Sequence, residues 1–575
     1  MYNPRRRYLE KETFMRSASC LLLLFAAFPA FAAPQTSAVP HAAESVEVSI
    51  VNVDAVVVDK EGKRVQGLRR DDFEIFENGV RQPITNFSEY SPAPSQSGTV
   101  TAQVPAAIPE APRPQQRSII VFVERFQLPK FRSDPMFAAI KKLLHDSVRP
   151  GDRVMVVSWN RGIVGVRQNF TDDLGRIDKA LDAIASRTIQ MNHDQMDDLR
   201  QELEAIRAFE SEGESFGSGG LPAIEDSGLP FFSEQSARMN AKIALLDEKR
   251  KVETLKALMR SMGGADGKRI LLLATHRLSE FAGAEAFYTA GSGGELSAAI
   301  RNEFDAKPLI RTLTETANAN GVTIYPIYAE GLGSTLPTSD QHGTLGSGFD
   351  YLVLNNEIPM LDYVAKETGG VPAWDSNEVA KLMPRIGDDF DTYYSLAYRA
   401  TPGKAAARKV EVRVKDPKLS VRSRKQFVPK NENTRMEDRV IGALFGNTPA
   451  SAFRFAVKSD APARQKDKSY LIPVTVQVPI AALTSLRGQG DAYNGAFSVY
   501  LAWGSTIGGV SETHHDTQQF SIKAADLERA KKGHFTYTVS VASLTPSLRV
   551  ALGVYDEVSR DYAVGVTNLQ PPTVK

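Results

Sequence analysis

The stretch SIIVFV at residues 118–123 constrains the fold of this chain more than any other. A short apolar run of this kind, ending at a charged residue such as Glu124, is typical of a strand buried on both faces, as in a parallel sheet. Comparable runs alternate with segments of helical spacing further along the chain, at 154–157, 270–274, 322–328 and 394–398. This alternation predicts a doubly wound, Rossmann-like α/β sheet, with its ligand site beyond the carboxyl ends of the strands.

The predicted α/β domain spans residues 117–400 and contains two insertions, at about 188–235 and 331–350. Both insertions are rich in Gly and Ser, so we expect adaptable binding loops near the ends of the strands. A segment at 163–168 is expected to form an antiparallel strand at the edge of the sheet.

Regions of β pattern flank this domain. Residues 44–92 alternate apolar and polar side chains, and Asn78-Gly79 favours a type I′ hairpin, which predicts a small β-sandwich-like domain. A Pro-, Ala- and Ser-rich linker at 93–116 follows it. The C-terminal part is expected to contain a β-hairpin extension, a connector and a seven-stranded immunoglobulin-like β-sandwich, at 401–430, 431–450 and 451–575. The expected fold class is therefore multi-domain α/β plus all-β.

The first 32 residues have the pattern of a secretory signal peptide. Arginines precede an apolar run, and Ala30-Phe31-Ala32 offers a cleavage site. An uncleaved anchor helix is the weaker alternative, because the run is short and Pro29 interrupts its end. The only cysteine, Cys20, would leave with this segment. We therefore expect a protein in the periplasm, on the cell surface or secreted, without disulfides and without a transmembrane segment after cleavage.

Five short motifs occur in order along the chain: VVVDKEGKRV at 56–65, LRRDDFEIFENG at 68–79, RPGD at 149–152, ETGG at 367–370 and YSLAY at 394–398. Together they resemble the VWFA-related family of acidobacterial type, and the resemblance covers most of the mature sequence. It implies a von Willebrand A-type domain at 117–400 between β domains. The motifs are specific for the family rather than for a function.

Domains of this type often hold Mg²⁺ or Mn²⁺ in an adhesion site, through Asp-x-Ser-x-Ser after the first strand, a Thr from a second loop and an Asp after the fourth strand. The first motif aligns here with Glu124, Phe126 and Leu128, and Thr275 and His276 stand in the place of the distal Asp. A hard cation needs converging oxygen ligands, which Phe and Leu do not supply. The resemblance therefore implies a degenerate metal site, and neither a metal nor another cofactor is expected.

Two alternatives remain open. Thr171 or Thr188 could supply the middle hydroxyl of a rebuilt site, which would make the protein an Mg²⁺-dependent adhesion domain. Glu124 and His276 could form an acid/base pair in a hydrolase, although no nucleophile accompanies them.

Signals for enzymatic activity are otherwise absent from the sequence. No Gly-rich nucleotide loop follows a strand, and no G-x-S-x-G or H-E-x-x-H motif occurs, so no catalytic residue is predicted. The cluster at 514–516, His-His-Asp, is expected in a solvated loop. The formal net charge of +1 gives no field that would recruit nucleic acid. We therefore expect an exported, non-enzymatic protein-binding or adhesion-type scaffold, with a protein, extracellular-matrix or cell-envelope partner.

Overall fold

The computed structural model describes residues 50–91, 116–124, 130–160, 163–186, 234–263, 267–275, 278–284, 287, 298–328, 347–373, 381–400, 407–466, 469–488, 490–504, 510–543 and 545–569. The predicted signal peptide, nearly all of the linker and most of both insertions lie outside these residues. Phe126, Leu128, Thr188 and His276 lie outside them as well. Within the described part of the chain, no helix is long and apolar enough to cross a membrane.

The N-terminal β region begins with four strands: β1 Ile50–Val58, β2 Phe73–Glu77, β3 Val80–Gln82 and β4 Ile84–Tyr90. The predicted hairpin at Asn78-Gly79 is confirmed, since β2 and β3 pair through Glu77 and Val80. Asn78 and Gly79 both have positive φ, of 49° and 82°, as a type I′ turn requires.

The central sheet has five strands: β5 Ser118–Glu124, β6 Arg153–Asn160, β7 Ile163–Thr171, β8 Arg269–Thr275 and β9 Val322–Tyr328. Their order is β7-β6-β5-β8-β9. Four of these strands run parallel, and β7 is the antiparallel edge strand that the sequence predicts. The chain is thus mixed α/β, with a sheet that is mainly parallel and with further antiparallel sheets.

Seven helices accompany this sheet within the described residues: α1 Lys130–Ser147, α2 Leu174–Ala185, α3 Glu234–Ser261, α4 Ala298–Glu303, α5 Lys307–Asn320, α6 Ser347–Thr368 and α7 Met383–Asp391. Successive strand residues point to opposite faces. On β5, Ile119 and Val121 therefore pack against α1, α2 and α7. Ile120 and Phe122 pack on the other face, against α3, α5 and α6. Both faces of the sheet are buried under helices.

The strand at 394–398 was expected in the α/β domain, but it belongs to a different sheet. Four further strands follow the central sheet: β10 Tyr393–Arg399, β11 Arg408–Val414, β12 Ser420–Ser423 and β13 Gln426–Phe427. β10 pairs with β1 and β4 of the N-terminal region. The Tyr394 hydroxyl donates to the carbonyl of Val65 at 2.9 Å, which fixes the strand there. A buried strand pattern alone does not specify which sheet receives the strand.

The predicted β-hairpin extension at 401–430 is observed only in part, because β11 and β13 pair antiparallel within it but β12 does not join them. β11 pairs with β2 and β13, whereas β12 pairs with β1. The two strands therefore lie in opposite sheets of one sandwich, with orders β12-β1-β10-β4 and β13-β11-β2-β3. Its core contains Val53, Ile75, Leu396 and Val410. Segments 50–90 and 393–427 thus build one β domain, because alternation predicts strands but not their partners.

The C-terminal part begins with α8 Glu432–Leu444, which lies in the predicted connector and is capped by the Asn431 side chain. Nine strands follow among the described residues: β14 Ala456–Ser459, β15 Ala463–Arg464, β16 Tyr470–Pro479, β17 Leu486–Arg487, β18 Ala492–Gly504, β19 His514–Lys523, β20 His534–Ser543, β21 Leu548–Asp556 and β22 Tyr562–Leu569. A short helix, α9 Leu527–Ala530, precedes β20. The strands form two antiparallel sheets around one apolar core.

Candidate functional site

Glu124 and Thr275 end two adjacent parallel strands at the carboxyl edge of the central sheet. Their strands β5 and β8 run in register, with Val123 opposite Ala274. The Thr275 hydroxyl donates a hydrogen bond to Oε2 of Glu124. Two of the residues that sequence analysis assigned to a degenerate site are therefore in direct contact.

The second partner of Glu124 is Lys251, which comes from helix α3. Its Nζ lies 3.4 Å from both carboxylate oxygens of Glu124. The same Nζ lies 3.2 Å from Oε2 of Glu248, one helical turn earlier. Only 1% of Lys251, 4% of Glu124 and 5% of Glu248 is exposed. We call these three residues with Thr275 the carboxyl-edge cluster.

Charge balance in the carboxyl-edge cluster follows from burial and proximity. Burial by itself lowers the pKa of Lys251, but the charges of Glu124 and Glu248 raise it above its ordinary value. Burial raises the pKa of Glu248, and the neighbouring ammonium of Lys251 only partly opposes this. Lys251 therefore stays protonated at neutral pH, and burial disfavours the charged form of Glu248.

The geometry determines what this cluster can do chemically. A hard divalent cation requires several oxygen ligands and is repelled by an adjacent ammonium. Lys251 places its positive charge directly against the carboxylate of Glu124, where it serves as an internal counter-ion. Among the described residues, no group of three or more His, Cys, Asp or Glu side chains is arranged to hold a metal ion.

The neighbouring strands end in buried contacts as well. Trp159, opposite Glu124 on β6, is buried and packs against Phe122 with ring centroids 6.4 Å apart. Tyr328 ends β9, and its hydroxyl donates to Oε2 of the buried Glu357 of α6 at 3.4 Å. Side chains from α3 and α6 thus cover the ends of the strands.

Thr171 does not contribute to this cluster. It pairs with Val154 near the start of β6, whereas Glu124 pairs with Trp159 at the other end of that strand. Five residues of strand separate the two positions, roughly 16 Å at the usual rise. The Thr171 hydroxyl instead accepts a hydrogen bond from the backbone of Asp173 at 3.1 Å. Thr171 therefore lies at the opposite end of β6 from the carboxyl-edge cluster.

The His-His-Asp cluster also differs from its prediction. It lies at the start of strand β19, where a solvated loop was expected. His514 is hydrogen-bonded to the hydroxyl of Tyr537 at 3.0 Å, and the ring of His515 stacks on Tyr500 at 4.5 Å. The unbroken run of polar residues at 514–519 matches an exposed strand as well as it matches a loop.

Sequence analysis missed Lys251 and Glu248, although the sequence contains a signal for them. Residues 248, 251, 255 and 258 follow the i, i+3, i+7 spacing of one helix face. Leu255 and Leu258 on that face are fully buried. Two charged residues in line with buried leucines predict a buried ion pair, because a lone charge would not tolerate that environment.

Comparison with known proteins does not assign the chain. No family model and no curated protein matches it. An aerotolerance-related membrane protein from Bacteroides fragilis is 11% identical, with 48% of this chain and 98% of that chain covered and a TM-score of 0.22. The pilus adhesin SpaC from Lactobacillus rhamnosus is 8% identical, with 80% and 53% covered and a TM-score of 0.22. TM-scores this low do not establish a shared fold, so the family resemblance stays a prediction.

Proposed function

We propose that this protein is an exported, non-enzymatic binding scaffold. The doubly wound central sheet and its helices form a von Willebrand A-type domain that binds its partner without a metal ion. The observation that carries this proposal is the contact of the Lys251 ammonium with both carboxylate oxygens of Glu124. An internal ammonium at this edge supplies the positive charge that a bound cation would supply in a metal-dependent adhesion site.

The lack of a reactive arrangement in the carboxyl-edge cluster supports the non-enzymatic part of the proposal. The Thr275 hydroxyl, the only hydroxyl of the cluster, donates to Glu124 in a fully buried position. Lys251 is held between two carboxylates and stays charged, so it is neither a nucleophile nor a base. The contacts stabilise the edge of the sheet and leave partner binding to the protein surface.

Calorimetric titration of the purified protein with Mg²⁺ and Mn²⁺ tests the metal-independent part. We expect no binding heat at millimolar concentrations, because Lys251 repels a divalent cation from Glu124. Saturable binding of either ion, abolished by Glu124→Gln, would overturn it.

Cross-linking of the full chain on intact cells tests the scaffold itself. We expect a specific protein or cell-envelope partner that is recovered equally with and without a chelator. Recovery that requires divalent cations would favour the adhesion-type metal site, and recovery of no specific partner would contradict the scaffold.

A further inference from the structure

A cavity lies at the amino edge of the central sheet, opposite the carboxyl-edge cluster. Its volume is about 500 Å³, within the range of small-molecule sites. The starts of β8 and β9 and the C-terminal ends of α5 and α6 form one wall, and strands β1, β10 and β12 of the N-terminal sandwich form the other. Ile50 on its wall is 61% exposed, so the cavity reaches the protein surface.

The charge of this amino-edge cavity is strongly unbalanced. Four cationic side chains line it: Lys268, Arg269, Arg422 and Arg424. Asp54 is the only carboxylate among the described residues of its wall. Arg422 forms an ion pair with the buried Asp389, to which both of its terminal nitrogens donate at 2.8 Å. Lys268 and Arg424 outnumber the single carboxylate of Asp54, so the cavity wall keeps a net positive charge.

Arg424 is held by neutral groups. Its Nη1 donates to the carbonyl of Asn318 at 3.0 Å, and its Nη2 donates to the carbonyl of Asn52. Its Nε is buried and has no hydrogen-bond partner among the described residues. A guanidinium fixed by neutral carbonyl groups keeps its full positive charge.

Lys268 is held similarly. Its Nζ donates to the main-chain carbonyl of Asp389 and lies 4.0 Å from the ring centroid of Tyr393. No carboxylate forms an ion pair with Lys268 in the described part of the chain. Carbonyl dipoles and a ring face orient this cation but supply no full negative charge.

The pKa values of the two cations agree with this arrangement. Burial lowers the pKa of Lys268 to about 8, although Asp54 and Asp389 act in the opposite direction. Burial also lowers the pKa of Arg424. Both charged forms are therefore destabilised, and a negative charge in the cavity would relieve this cost.

We infer that the amino-edge cavity binds a small polyanion carrying two or more carboxylate or phosphate groups. Planar guanidinium groups match either oxyanion in a bidentate manner, and an ammonium adds a point charge. The occupant contacts both the central sheet and the N-terminal sandwich, because residues of both line the cavity. This site is separate from the carboxyl-edge cluster and does not depend on the proposed scaffold function.

Calorimetry on the full chain at constant ionic strength tests the inference, with citrate as the carboxylate probe and pyrophosphate as the phosphate probe. We expect saturable binding of at least one probe, and the tighter probe identifies the preferred group. Arg424→Gln should weaken binding by about tenfold, the effect of one lost charge-assisted contact. The matched control is Arg529→Gln, which removes the same charge from an exposed side chain of α9 and should leave the affinity unchanged.

Asp54→Asn should change probe affinity in the opposite direction, and it leaves the hydrogen bonds of Arg424 to the carbonyls of Asn318 and Asn52 intact. Loss of the single lining carboxylate should tighten probe binding several-fold, because one repulsive charge is removed. Absence of saturable binding of both probes at millimolar concentration would show that the cavity is a hydrated crevice and would overturn the inference. Equal losses in Arg424→Gln and Arg529→Gln, or weaker binding in Asp54→Asn, would overturn it as well.

Discussion

Buried charges are paired at one edge of the central sheet and unbalanced at the other. At the carboxyl edge, Glu124 and Glu248 enclose the ammonium of Lys251 in a packed cluster. At the amino edge, four cations and one carboxylate line an open cavity. Ligands of parallel sheets usually bind at the carboxyl edge. In this protein the described charged side chains at that edge pair with one another, and the unbalanced charge lies at the opposite edge.

The largest expected effect comes from removing the internal counter-ion. Lys251→Met removes the ammonium that contacts two buried carboxylates, so we expect a loss of about 3 to 5 kcal/mol in the free energy of unfolding. Urea denaturation followed by circular dichroism measures it. Lys256→Met on the same helix is the matched control, because Lys256 pairs with Glu253 in a partly exposed ion pair. The control should cost less than about 1 kcal/mol. Equal losses in the two variants would show that the carboxyl-edge cluster does not stabilise the sheet.

The contrast between the edges was only partly predictable from the sequence. The strands of the central sheet were predictable because unbroken apolar runs mark burial on both faces, and the observed β9 has the predicted bounds. The positions of Glu124 and Thr275 at neighbouring strand ends followed from that. Lys251 was missed because its contact with Glu124 joins residues far apart in sequence. The amino-edge cavity was missed because it requires knowing that β10 and β12 join β1.

The motifs behind the family resemblance have structural roles, so they indicate a fold better than a function. In RPGD, Asp152 accepts from the Nε of the buried Arg117 at 2.9 Å and fastens the turn to the start of β5. In ETGG, the Thr368 hydroxyl accepts from the backbone of Ile324 at 3.1 Å. A Cβ at Gly370 would lie 2.1 Å from the carbonyl oxygen of Ile324, so that position requires glycine. These residues fix junctions between elements.

A second prediction uses the pH dependence of stability at the amino edge. Lys268 has a folded-state pKa of about 8 against an ordinary value of 10.5. Below pH 8, burial of the charged Lys268 lowers the free energy of unfolding by roughly 3 kcal/mol, the value that corresponds to the shift of its pKa from 10.5 to about 8. Between pH 8 and 10.5 the unfolded chain binds more protons, so stability from this group rises with pH.

Lys268→Met should therefore be more stable than the wild type at pH 7, and the difference should shrink toward pH 10. Chemical denaturation at both pH values measures this. Lys268→Arg, which keeps its charge over this range, is the control and should show no such gain. Citrate or pyrophosphate should reduce the advantage of Lys268→Met at pH 7. A difference between Lys268→Met and the wild type that does not change with pH would contradict the unbalanced charge.

The smallest change in the free energy of unfolding is expected from removing the Thr275 hydroxyl at the carboxyl edge. Thr275→Val removes one donor to Glu124 with little change in volume, so we expect a loss of about 2 kcal/mol. Thr314→Val is the matched control: Thr314 is equally buried, but its hydroxyl donates to the carbonyl of Arg311, a neutral acceptor, at 2.8 Å. The control should lose about 1 kcal/mol. If the two losses measured by urea denaturation are equal, Glu124 does not need Thr275, and Lys251 alone balances its charge.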